Sequence, residues 1–270
     1  MQSYFCATIS RTGILSFLLC AITATLSKAQ IRVGTLRINA GEKYEVVQSD
    51  IVVADTLIMM DSSVLVLNQL KRENYIRAKV AIFGKYCTID GRGLDGQPGR
   101  NGKAGNTPIG PCGNGTPGRN ATNGLAGTPG VNLFLYLERI SLPGILVIDL
   151  AGGNGGNGGN GGNGGSGSQG TVHCIGGNGA NGGNAGAGGN GADGGVLTLS
   201  CAEQPEIKDW VGKKIIVRMQ GGHAGRPGRA GYHGAAGLGP SRRNGKDGTP
   251  GTESTSGIPG GLGKINFESN

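Results

Sequence analysis

Few residues in this chain could do chemistry, and none of them is well placed for it. His173, His223 and His233 stand far apart, and no histidine has a serine or cysteine positioned to form a nucleophile pair. Asp90 and Asp95 could act as a carboxylate pair, but they open a glycine-rich stretch with no evident pocket. Gly91-Arg92-Gly93-Leu94-Asp95-Gly96 fits the GxGxxG spacing after a strand-like segment. A dinucleotide site also needs a helix to open there and turn its amides toward the pyrophosphate, and Pro98 and further triplets stand in its place. Gly188 to Asp193 matches the start of a calcium-binding nonapeptide, but Gly195 occupies the apolar slot and no tandem array follows. No catalytic residue, cofactor or metal is therefore assigned, and an enzyme is not expected.

The cysteines carry more information. Residues 1–29 read as a secretory signal: Arg11 supplies the positive end, Ile14 to Leu26 are mostly apolar, and Ser27-Lys28-Ala29 precedes Gln30 as a small-x-small cleavage site. Leu18-Leu19-Cys20 is a poor lipobox because Leu19 is bulky. Cys6 and Cys20 leave with the signal, so Cys87, Cys112, Cys174 and Cys201 remain, an even number that suits two disulfides in an exported chain. Losing Arg11 and Lys28 lowers the formal charge from +8 to +6, with Arg242-Arg243 the densest basic point. Aromatic residues are only 4% of the chain and do not interleave with a basic cluster for base stacking, so a nucleic-acid partner is not expected. No membrane-inserted segment is expected either. Asn114-Gly115-Thr116 and Asn120-Ala121-Thr122 are glycosylation sequons.

The elements that must position these residues follow from the glycines, 57 in 270 residues, about three times the usual share of ~7%. Only Gly13, Gly34, Gly41 and Gly84 precede residue 90; most of the others recur at every third position in six runs. Ala121, Ala185 and Ser254 fill vacant glycine slots. A period of three is that of polyproline II, which rises ~3.1 Å per residue and has no internal hydrogen bonds. A glycine edge lets a neighbouring backbone approach, and that neighbour can supply the missing hydrogen-bond partners. The spacing is collagen-like, but 11 prolines are too few for collagen.

Apolar, strand-like segments flank each pair of runs, among them Leu133 to Leu137, Ile145 to Leu150, Val196 to Ser200 and Lys214 to Met219. Thr56 to Met60 and Val64 to Leu67 read as earlier strands, and Pro205 to Trp210 as a short helix. The expected fold is a β-rich base, a sandwich or short solenoid, carrying a six-helix polyproline-II bundle with almost no α-helix. The base spans 30–90, and three hairpins (91–130, 152–195, 221–263) alternate with base strands (131–151, 196–220) before a closing strand (264–270). In this layout Cys112 and Cys174 lie in distal turns and Cys87 and Cys201 in base strands. That pairs Cys112 with Cys174 and Cys87 with Cys201, because the other pairings would span tens of ångströms. The second pair of runs, with Asn154, Asn157, Asn160 and Asn163 facing Asn178, Asn181, Asn184 and Asn190, is expected at the centre of the bundle.

Gly-Gly-Asn triplets, alanine in glycine slots and cysteines at run ends resemble the snow flea antifreeze proteins and the glycine-rich adhesins of phage tail fibres. The resemblance covers roughly residues 91–130, 152–195 and 221–263 and implies disulfide-tied bundles of antiparallel polyproline-II helices. It points to two functions. The first is a non-catalytic, exported cell-surface structural or adhesive protein, such as a subunit of an envelope assembly. Its partner would be an envelope protein or an external receptor or glycan, met through the turns near Tyr232, His233, Arg242 and Arg243. The second is ice binding through the asparagine ladders. A carbohydrate-active solenoid enzyme is a third, weaker reading.

Overall fold

The computed structural model describes residues 30–268; the secretory signal expected over residues 1–29 lies outside the described residues. Eleven strands form: β1 (Ile31–Ile38), β2 (Lys43–Glu45), β3 (Ile51–Met59), β4 (Val64–Val66), β5 (Glu73–Phe83), β6 (Cys87–Asp90), β7 (Asn132–Ser141), β8 (Leu146–Asp149), β9 (Val196–Cys201), β10 (Ile215–Arg218) and β11 (Lys264–Phe267). Odd-numbered strands make a six-stranded sheet in chain order and even-numbered strands a five-stranded one, every pairing parallel. Each coil of chain thus lays one strand on each wall of a two-sheet solenoid.

Alternation along the strands fills the space between the walls. Leu57, Met59, Ile76, Phe83, Leu135, Leu137 and Leu199 from the larger sheet are buried against Leu65, Ile89, Leu146, Ile148 and Ile215 from the smaller one. Burial of such side chains contributes roughly 1.5–3 kcal/mol each. In the first two coils the chain turns from the smaller sheet to the larger through short corners. The second corner is closed by buried asparagines: Asn68 N–H donates to Asn74 Oδ1 (2.8 Å) and Asn74 Nδ2 donates back to Asn68 O (3.0 Å).

At the same corner of the next three coils the glycine-rich hairpins leave the solenoid. β6, β8 and β10 run directly into the outward runs, and the returning runs lead into β7, β9 and β11. We number the runs 1 (93–105), 2 (115–130), 3 (152–170), 4 (176–194), 5 (222–237) and 6 (245–263). They are neither helix nor strand. Their order lies in backbone hydrogen bonds between runs at every third residue, such as Gly96 N–H to Asn154 O (2.7 Å), Gly99 N–H to Asn157 O (2.7 Å) and Gly102 N–H to Asn160 O (2.8 Å).

The sheet register passes into the runs without a slip. β6 pairs with β8 at a separation of 59 residues, as Asp90 with Asp149, and Asn101 of run 1 still meets Asn160 of run 3 at 59. β7 and β9 keep 64 between runs 2 and 4, β8 and β10 keep 69 between runs 3 and 5, and β9 and β11 keep 68 between runs 4 and 6. Ala121 and Ala185, two of the residues in vacant glycine slots, are 64 apart and so lie at one level of this lattice.

Two sequence expectations are corrected. Among the described residues the regular structure is two parallel sheets of eleven strands with two short 3-10 segments, Pro205–Trp210 and Pro240–Arg242, and no six-helix polyproline-II bundle forms on a separate base. Amides that cannot bond within a run bond to the run in the adjoining coil, so the runs extend the coils sideways. The Cys87–Cys201 disulfide is also absent: both cysteines are free and buried. Cys87 lies on β6 and Cys201 on β9, in opposite walls, and placing both in base strands does not say which wall each strand joins. Cys87 Sγ donates to Met60 O (3.2 Å) and Cys201 Sγ to Gln204 Oε1 (3.1 Å), and burial pushes both thiols up in pKa. Cys112–Cys174 is formed, joining the distal end of the first hairpin to that of the second, with Cα atoms 6.1 Å apart.

Candidate functional site

A three-residue period gives each run three sides, and the lattice uses them differently. Runs 3 and 4 each bond to four others: run 3 to runs 1, 2, 4 and 5, and run 4 to runs 2, 3, 5 and 6. Two of their three sides therefore face backbone. A Cβ built on Gly153 or Gly158 would come within 3.0 Å of the carbonyls of Leu94 or Gly186, which explains the doubled glycines there. The third side carries the asparagines.

All eight asparagines of the two ladders are exposed residues, yet each side-chain oxygen is engaged. Asn154, Asn157, Asn160 and Asn163 Oδ1 accept from the N–H groups of His223, Arg226, Arg229 and Tyr232 at 2.8–3.0 Å. Asn178, Asn181, Asn184 and Asn190 Oδ1 accept from Lys246, Thr249, Thr252 and Ile258 at 2.8–3.0 Å. Each asparagine thus pairs an amide that the glycine bonds leave over and fixes the next run beside it. The ladders extend to residues that composition did not single out: Asp95, Asn101, Asn120 and Asn123 accept in the same way from Asn154, Asn160, Asn184 and Ala187. Constant offsets of 59 and 64 residues were the available signal.

The result is a plate with two dissimilar lateral faces. One, from runs 1, 3 and 5, carries Asp95, His223, Arg226, Arg229 and Tyr232 among its asparagines. The other, from runs 2, 4 and 6, sets Asn120, Asn184 and Thr252 in one column and Asn181 beside Thr249 in the next. No charged side chain interrupts that face between Lys246 near the tip and Asp193 near the solenoid.

Of the expected contact turns, Arg242 and Arg243 lie at the distal end of the third hairpin, where Ser241 and Arg242 have positive φ. Tyr232 and His233 lie inside run 5, not in a turn. Where strands become runs, Asp90 and Asp149 are neighbours across β6 and β8. Arg92 grips Asp90 through two bonds of 3.0 and 2.8 Å, and Arg218 stands 3.6 Å from Asp149. Burial would raise the Asp90 carboxyl, but the Arg92 guanidinium outweighs it and holds the pKa below the usual range. General-acid chemistry needs the opposite shift. Asp95, the other half of the carboxylate pair suggested by sequence, is occupied as an acceptor for Asn154 N–H. Among the described residues no group of three or more His, Cys, Asp or Glu could hold a metal ion, and no helix is long and apolar enough to cross a membrane.

Comparison with protein-family models, with curated proteins and with solved structures finds no match.

Proposed function

We propose that this is a non-catalytic, exported surface module that uses a two-sheet solenoid to present a rigid glycine-rich plate to an envelope partner or an external receptor. The supporting observation is the unbroken register from β6–β11 through the runs. A surface whose side chains repeat at fixed intervals suits recognition of an extended, repetitive partner more than of an enclosed small substrate. Export is supported by the signal-like residues 1–29 and by the Cys112–Cys174 disulfide, which persists in oxidising compartments. Gentle affinity capture from the native envelope, with mass spectrometry of what accompanies the protein, tests this reading. A stoichiometric envelope partner is expected; recovery as a lone soluble protein contradicts it.

A second reading, ice binding, draws on one observation. The face formed by runs 2, 4 and 6 is charge-free over its middle columns and carries Thr249 and Thr252 beside Asn181 and Asn184. Arg226 and Arg229 of the third hairpin sit on the opposite face. Thermal hysteresis lost on Thr252→Lys would support this reading, and its absence from the wild-type protein would remove it.

A further inference from the structure

The underside of the plate, where run 1 and run 2 have no coil of runs beneath them, carries a second and chemically different surface. In run 1 the glycines face neighbouring backbone and Asp95 and Asn101 reach run 3. The remaining side, which includes Arg100 and Lys103, therefore faces away from run 3. Run 2 lies antiparallel beside it: Arg119 N–H donates to Lys103 O (2.8 Å) and Thr122 N–H to Arg100 O (3.0 Å). Arg100 and Lys103 are three residues apart, at most about 10 Å of extended chain, and Arg119 stands directly across from Lys103.

All three cations are exposed, and none is in an ion pair among the described residues. No acidic residue occupies any position on this side of either run. The upper side of the plate has the opposite character. There Asp247 and Glu253 turn back to accept from Ala236 and Ala230 N–H. The positive strip is thus a local feature and does not merely reflect net charge.

We propose that this strip binds a linear anionic polysaccharide through Arg100, Lys103 and Arg119. Three observations select that partner. Alternate underside amides of run 1 are already capped by threonine hydroxyls, Leu94 N–H by Thr128 Oγ1, Arg100 N–H by Thr122 Oγ1 and Asn106 N–H by Thr116 Oγ1, each at 2.7 Å. A partner strand therefore finds few free backbone donors, and recognition falls to side-chain charge. The first two coils of the solenoid project past the strip by about two strand spacings, roughly 10 Å, a step that keeps a flat bilayer or the upper side of a second copy from seating on it. A slender chain has no such difficulty. No aromatic side chain lies on the strip to stack a nucleic-acid base.

The test is binding of fluorescein-labelled heparin and polygalacturonate to the intact protein across a salt series. Phosphatidylglycerol vesicles and double-stranded DNA serve as competing probes. Wild type should bind one or both polysaccharides, with affinity falling steeply as salt rises. The triple variant R100Q/K103Q/R119Q should lose roughly tenfold or more. R226Q/R229Q, which removes two charges from the lateral face, should change binding by no more than about twofold. Equal loss in both variants, absence of polysaccharide binding, or saturable binding to vesicles or DNA alone would overturn the proposal. If the triple variant melts early, Lys103→Glu repeats the comparison with a single exposed change. The proposal rests on the display reading only for its extracellular setting. Envelope capture without polysaccharide binding removes this strip and keeps the display reading, and polysaccharide binding without envelope capture does the reverse.

Discussion

Asparagine and aspartate side chains here perform a task that glycine cannot. A glycine removes the obstacle to close approach, but one backbone amide in three still needs an acceptor, and an unmet amide costs about 1–3 kcal/mol when buried. Asn160 illustrates the solution: its N–H reaches Asn101 Oδ1 and its own Oδ1 takes the Arg229 amide, tying three coils at one level. Asn160→Ala should lower stability by about 1 kcal/mol, while Asn160→Asp, which keeps the acceptor, should cost less; chemical denaturation of the two variants checks this. Asp90 has a related structural task where β6 becomes run 1. Its side chain is only 14% exposed and Arg92 holds its pKa down, so its contribution is present above the unfolded carboxylate value of about 3.9 and is lost as pH falls through the folded value. Asp90→Asn should therefore be about 1 kcal/mol less stable than wild type at pH 7, with the gap narrowing as pH falls below about 3.9, in urea melts across that range.

At the scale of elements, the strands were legible because alternation is written into them: Leu133, Leu135 and Leu137 face the core while Phe134 and Tyr136 face out. The glycine runs were legible as units by their spacing. Their relation to the strands was not, because period three describes a single run and carries no information on which neighbour completes its hydrogen bonds. The same gap misled the pairing of Cys87 with Cys201, since alternation marks a strand without saying which wall it joins. Close packing of the runs makes a sharp prediction. A side chain at Gly158 would meet Gly186 backbone, which cannot rotate aside, so Gly158→Val should cost about 3 kcal/mol. Gly34→Ala, with nothing within 4 Å, should change stability by no more than about 0.5 kcal/mol in the same thermal melts. Cys112→Ser opens a loop of 62 residues between hairpin tips and should cost up to roughly 4 kcal/mol, read as a fall in melting temperature that reducing agent reproduces in wild type.

At the scale of the whole molecule, solenoid and plate are one lattice, built by stacking five coils and lengthening one corner of the last three. Parallel strands and glycine-rich runs can share a stacking direction because both bond sideways to the coil above and below. This continuity explains why a charge pattern can be held in fixed register far from any hydrophobic core, and why function is sought on faces and not in a cavity. It was partly visible beforehand, since sequence offsets of 59, 64, 69 and 68 recur, but only the paired strands reveal that these offsets are sheet registers. The most direct measurement is residue-resolved amide hydrogen exchange by NMR on the oxidised protein. If the runs extend the sheets, the Gly156, Gly159 and Gly162 amides, bonded to Leu125, Thr122 and Arg119, should be protected to a degree comparable with Ile148 of β8. The amides of Asp247 and Ser256 on the outer side of run 6 should exchange quickly. Fast exchange throughout the runs beside protected strands would contradict a single continuous lattice and leave a folded solenoid carrying loose hairpins.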